Sequence, residues 1–108
     1  MFLRAIVKIL FSLFILSSLS AHAKDCFYAE LVAIQPQSTD ILVRVRNGSG
    51  TYWKRVASQD DLYAASYQSA AQHALASGLR VMLRFSDSDN YNCSFSDYGS
   101  SPDAFRVY

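Results

Sequence analysis

The stretch from Ser58 to Phe85, SQDDLYAASYQSAAQHALASGLRVMLRF, constrains the fold more than any other, because the spacing of its apolar residues changes within it from helical to extended. Ser58 stands where a side-chain oxygen can accept the first free backbone N–H groups, and Asp60 and Asp61 lie where the positive end of the helix dipole favours negative charge. Ser58-x-x-Asp61 is a short-armed capping box, and Ser77-Gly78 supplies a left-handed residue after the last turn. These signals predict a helix of about nineteen residues. On a helical wheel Tyr63, Tyr67, Ala70, Ala71, Ala74 and Leu75 form the face to be buried. The opposite face carries Ser66, Ser69, Gln72, His73 and Ser77, polar without charge. Such a face is either solvated or meets copies of itself, since small uncharged side chains allow close approach in an oligomer. Beyond Gly78, Leu79, Val81, Leu83 and Phe85 alternate with Arg80, Met82 and Arg84, which predicts a strand with one apolar and one mainly basic face.

The chain begins with a different kind of signal. Arg4 and Lys8 precede an apolar run, and Ala21-His22-Ala23 has the small residues that signal peptidase needs, so residues 1–23 read as a secretory leader. The run is shorter than the about 20 residues of a spanning helix, and no membrane span is expected after cleavage. The remaining 85 residues, 24–108, form one small domain with eight basic and nine acidic side chains. That balance gives no electrostatic reason to expect nucleic acid as a partner. Export, to the periplasm or beyond, places Cys26 and Cys93 where a disulfide forms and persists, and with only two cysteines the pairing is unambiguous.

Strands precede the helix. Cys26 to Ile34 reads as the first, ended by Gln35-Pro36; Ile41 to Arg46 as the second, with Ile41, Val43 and Val45 inward; Thr51 to Ala57 as the third. Asn47-Gly48-Ser49-Gly50 has hairpin-turn chemistry, which accounts for its match to the N-glycosylation pattern. After the fourth strand, Asp87-x-Asp89 has a calcium-like spacing without the glycine and distal glutamate of an EF-hand, and reads as a hydrophilic loop. Phe105 to Tyr108 is the last strand. The order is β-β-β-α-β-β: mainly β with one helix, an α+β chain with the connectivity of the five-stranded OB-fold barrel.

Within exported OB-folds, the span from Trp53 to Leu83 resembles the B subunits of the subtilase cytotoxin and typhoid toxin type. Those subunits have a Trp before the helix, a helix rich in small and aromatic residues, and Ser/Thr-Gly-x-x-Val-x-Ile where the helix becomes the fourth strand. The matching residues are Trp53, Tyr67, Ala70, Ala74, Ser77, Gly78, Val81 and Leu83. The resemblance implies a pentameric ring whose helices line a pore, here through Ser66, Ser69, Gln72 and His73, and the binding of cell-surface glycans. An ungapped alignment puts Tyr28 near the first-strand serine that receives sialic acid in that family.

Catalysis finds little support in the sequence. After leader removal His73 is the only imidazole, it sits mid-helix, and paired cysteines leave no Cys-His or Ser-His-Asp arrangement. Nothing in the sequence singles out a carboxylate pair, such as Asp60 with Asp87, that folding would bring together for acid–base work. No cofactor or metal site is expected, since two cysteines and one distant histidine are too few ligands. Contact binding fits better: Tyr28, Tyr52 and the cations Arg44, Arg46, Lys54, Arg80 and Arg84 make a surface suited to stacking on sugars or pairing with carboxylates. The expected function is therefore an exported, non-enzymatic binding module, a toxin-subunit-like glycan binder. The alternative is a monomeric periplasmic protein that inhibits or joins another envelope or host protein.

Overall fold

The computed structural model describes residues 23–86 and 90–108. Residues 1–22 of the expected leader, the Asp87-x-Asp89 pair and the Asp60–Asp87 combination that depends on it lie outside the described residues. The elements are β1 (Lys24–Tyr28), β2 (Glu30–Pro36), β3 (Asp40–Asn47), β4 (Gly50–Ser58), α1 (Ala64–Ser77), β5 (Val81–Phe85) and β6 (Ala104–Val107).

The expected first strand is two strands, broken at Ala29. β1 pairs with β5, whereas β2 pairs with β3, and the Ala29 N–H already donates to the Arg46 carbonyl at 3.0 Å. One straight strand cannot serve both neighbours, so the chain changes sheet at this residue. The result is two open, antiparallel, three-stranded sheets, ordered β1-β5-β6 and β2-β3-β4. Among the described residues no ladder joins β4 to β6, so the closed five-stranded barrel expected from the sequence is found as six strands in two sheets.

α1 is shorter than its signals suggest. Ser58 belongs to β4, paired with Asp40, and its hydroxyl donates to the Thr39 carbonyl. Asp61 does accept the Ser58 N–H at 2.8 Å, but this closes a turn before the helix; Tyr63 is the residue at the cap and no side chain caps it. The buried stripe is correspondingly Ala64, Ala71 and Ala74, with Tyr67 packed against the core through Phe105, ring centroids 5.9 Å apart. Tyr63 and Leu75, expected inside, are exposed. Alanines on the inner stripe let the helix backbone approach closely, which bulkier residues there would prevent.

The core lies between the sheets and the helix: Cys26, Tyr28 and Leu31 from the first pair of strands, Ile41, Val43 and Val45 from β3, Val56 and Ala57 from β4, Val81, Leu83 and Phe85 from β5. Inward Ile41, Val43 and Val45 and exposed Arg44 and Arg46 follow the alternation read from the sequence.

Candidate functional site

The register of the β1-β5-β6 sheet builds one outward surface. Asp25 lies opposite Arg84 and Arg84 opposite Ala104; Phe27 lies opposite Met82 and Met82 opposite Arg106. Beyond the end of β6, the Tyr108 N–H donates to the Arg80 carbonyl at 2.9 Å, which sets a third row of Arg80 and Tyr108. Met82, predicted to share the outward basic face, is only 1% exposed, while Phe27 beside it is 61% exposed. The rings of Phe27 and Tyr108 lie 6.3 Å apart, and the guanidinium groups of Arg80 and Arg106 stand 5.8 and 6.0 Å from the Tyr108 ring centre.

A cavity of about 380 Å³ opens on this face, lined by Phe27, Tyr28, Ala29, Arg80, Val81 and Tyr108. Its walls are mainly apolar, with one guanidinium among them, the composition of a site that stacks on a ring and fixes an attached anion. Arg84 is differently committed. Its guanidinium grips Asp25 at 2.7 and 3.1 Å, and that hydrogen bonding, aided by the charges of Arg84 and Arg106, holds the Asp25 carboxyl below the usual carboxylate range. Arg80 and Arg106 have no ion pair among the described residues.

A second constellation is internal. Lys54, expected on the surface, is 0% exposed. Its ammonium donates to the Tyr91 hydroxyl at 3.0 Å and to the Asn92 carbonyl at 3.4 Å. It lies 4.3 and 4.7 Å from the ring centres of Phe95 and Tyr91, with Phe85 at 6.0 Å. Tyr91 in turn donates to Asp97 at 2.7 Å. Burial pushes the Lys54 amine down to about 8, against the pull of Asp97. Burial and the hydrogen bond to Asp97 raise the Tyr91 phenol well above its ordinary value. Asp97 feels burial in the opposite sense, but hydrogen bonds from Tyr91 and from the Gly99 and Ser100 N–H groups hold it low.

These groups fasten the segment from Tyr91 to Ser100 onto the sheets. The Cys26–Cys93 disulfide joins it to β1 with Cα atoms 5.4 Å apart, and Tyr28, also buried, donates to the Cys93 carbonyl at 2.8 Å. Asn47 accepts the Ser49 and Gly50 N–H groups within the hairpin turn and donates to the Ser94 hydroxyl at 2.9 Å, so the amide of the glycosylation-like triplet is a structural tie.

The candidate ligand residues are thus divided. Tyr28 and Lys54 are interior because each shares the parity of a buried neighbour, Cys26 and Val56. Tyr52 lies opposite Val45 in the register and is half-buried on the inward side. Arg44 stands 5.9 Å from the Trp53 ring, and Arg46 pairs with Glu30 at 2.6 Å, both on the β2-β3-β4 sheet. Arg80 and Arg84 belong to the other sheet, with Phe27, Arg106 and Tyr108, which the sequence did not single out. Phe27 was legible as the outward neighbour of two inward residues; Arg106 and Tyr108 needed the pairing of β6. Ser66, Ser69, Gln72 and His73 are exposed together on α1. Among the described residues no three His, Cys, Asp or Glu side chains gather as a metal site.

Compared with protein-family models, curated proteins and solved structures, the chain has no match.

Proposed function

We propose that this chain is an exported binding module that acts by contact and not by catalysis, and that its ligand is an anionic, ring-bearing molecule such as an acidic glycan. The observation that carries the reading is the cavity between Phe27 and Tyr108 with Arg80 in its wall. Exposed aromatic faces stack on sugar rings, and a guanidinium such as that of Arg80, with no ion pair among the described residues, receives a carboxylate bidentately. The three groups whose titration is displaced furthest, Lys54, Tyr28 and Tyr91, are occupied in fastening one segment of chain. The disulfide is in keeping with export.

The finer fold belongs to the same proposal. Counting β1 and β2 as one bent strand, its halves pair with the strands on either side in the manner of an OB-fold first strand, and the helix falls between the third and fourth strands. This supports kinship with the toxin B subunits. The exposed, uncharged face of Ser66, Ser69, Gln72 and His73 supports self-association through α1, which a mass measurement of the folded protein in solution checks: a closed ring is expected.

The binding test is a screen of immobilised acidic and neutral glycans. Arg80→Glu and Phe27→Ala should each weaken capture of acidic glycans by about tenfold or more, the loss of one charge-assisted or stacking contact. Arg46→Glu, on the other sheet, should leave capture unchanged. Capture that survives Arg80→Glu but falls with Arg46→Glu would move the site to the other sheet and overturn the assignment.

A further inference from the structure

Four strands end the two sheets: β1 and β6 in one, β2 and β4 in the other. Terminal strands leave backbone N–H and C=O groups that a further strand can take up. Two of these edges are obstructed and a third is cut short. Along β4 runs Asp97, bridged in parallel to Lys54, with the Arg55 N–H donating to the Asp97 carbonyl at 3.0 Å and the Asp97 N–H to the Trp53 carbonyl at 2.9 Å. β2 is interrupted between Leu31 and Ala33 and ends at Pro36, two features that blunt an edge. The edge of β1 is cut short, because the chain leaves this sheet at Ala29, whose N–H is taken by β3. β6 has no proline and no register shift from Ala104 to Val107, the Asp103 N–H just before it bonding to the Arg84 carbonyl at 2.7 Å, and among the described residues no strand lies on its far side.

The register fixes what β6 offers. The Tyr108 N–H donates to Arg80, so the alternation of an antiparallel pair turns the backbone groups of Ala104, Arg106 and Tyr108 toward β5 and those of Phe105 and Val107 away from it. The side chains of Phe105 and Val107 pack against the core yet remain half-buried, while Arg106 between them is exposed. A charge in the middle of an edge guards against indiscriminate pairing. It also defines what an incoming strand must carry.

We infer that β6 is a strand-addition site for an extended segment of another protein in which apolar residues alternate with acidic ones. The apolar residues cover Phe105 and Val107, a carboxylate lies beside Arg106, and the outward rungs of Phe105 and Val107 supply the hydrogen bonds. A second copy of the chain is a poor occupant, because the antiparallel register that uses both rungs of each copy sets Arg106 against Arg106. The inference rests on the β6 edge and is independent of the cavity at Phe27.

The test uses the folded chain and two blocked peptides of about eight residues, the length of a long edge strand, one repeating Val-Glu and one repeating Val-Lys. The Val-Glu peptide should slow amide hydrogen exchange at Phe105 and Val107 and bind about tenfold or more tightly than the Val-Lys peptide, the like-charge contact being the difference. Arg106→Glu should reverse that order. Val107→Pro removes one outward N–H and leaves the β5 ladder untouched, so it should weaken binding of both peptides by about tenfold. Equal binding of the two peptides, protection at β2 or β4 amides in place of Phe105 and Val107, or no binding of either would overturn the inference.

Discussion

The buried ammonium of Lys54 on β4 binds the Tyr91 hydroxyl and the Asn92 carbonyl. An ammonium withdrawn from water is tolerated only if other groups replace its hydration; here two oxygen acceptors and the faces of Tyr91 and Phe95 do so. The replacement is incomplete, since the amine is held down to about 8 from an ordinary value of 10.5. Between those two pH values the unfolded chain keeps a proton that the folded chain has released, so stability climbs as pH rises through this window. Tyr28 and Tyr91 act in the opposite sense. Burial raises both phenols above their ordinary 10.0, so above that pH the unfolded chain loses protons the folded chain retains, and stability falls. Thermal unfolding measured from pH 7 to 11 should therefore pass through a maximum between about 9 and 10. Lys54→Met, which fills the cage without a charge, should flatten the rise and leave the alkaline fall. An unfolding midpoint that declines steadily from neutral pH in the native chain would contradict this account of the cage.

At the scale of elements, the end of α1 was more legible than its beginning, and the reason lies in what competes for the capping residues. Gly78 has φ +64° and follows the last helical turn, where its N–H donates to the Ala74 carbonyl, and no tertiary contact disputes that role. A Cβ added there meets no heavy atom within 4 Å, so Gly78→Ala should express backbone strain alone, about 1 kcal/mol. That corresponds to a fall of about 4–8 °C in the unfolding midpoint of a domain this size, with Gly78→Asn falling by less. Equal midpoints for the three chains would remove the strain argument. Ser58 and Asp61 carry equally proper capping chemistry, but pairing of Asp40 with Ser58 extends β4 through the expected cap and converts the pair into a turn. Pairing partners are long-range facts, which is also why the break at Ala29 could not be read from CFYAELVAI.

Over the whole molecule, alternation in the sequence was sufficient to identify inward and outward residues of β3 and most of β5, but not to tell which outward arginines share a surface. Arg44 and Arg80 look equivalent as exposed strand or strand-flanking cations, yet they stand on different sheets. The segment from Tyr91 to Ser100 is the hardest part to read, since it has no periodicity and draws its shape from β1, β4 and the hairpin turn. Cys93 is its one unmistakable marker. The disulfide spans 67 residues and joins this segment to β1, so it acts on the unfolded chain as a long loop closure and on the folded chain as one of several fasteners. Replacing both cysteines by alanine should lower the free energy of unfolding by on the order of 4 kcal/mol, read from denaturant titration. The distribution of the effect distinguishes the two roles. If loop closure dominates, hydrogen exchange accelerates throughout the β1-β5-β6 core, while amides near Asp97 keep their protection relative to it through the Lys54–Tyr91–Asp97 chain of contacts. If the bridge is the principal fastener, the segment from Tyr91 to Ser100 opens alone, Lys54 becomes accessible to amine-modifying reagents, and the alkaline stability maximum disappears with it. The two tyrosine hydroxyls and the lysine that hold the segment without any sulfur favour the first outcome.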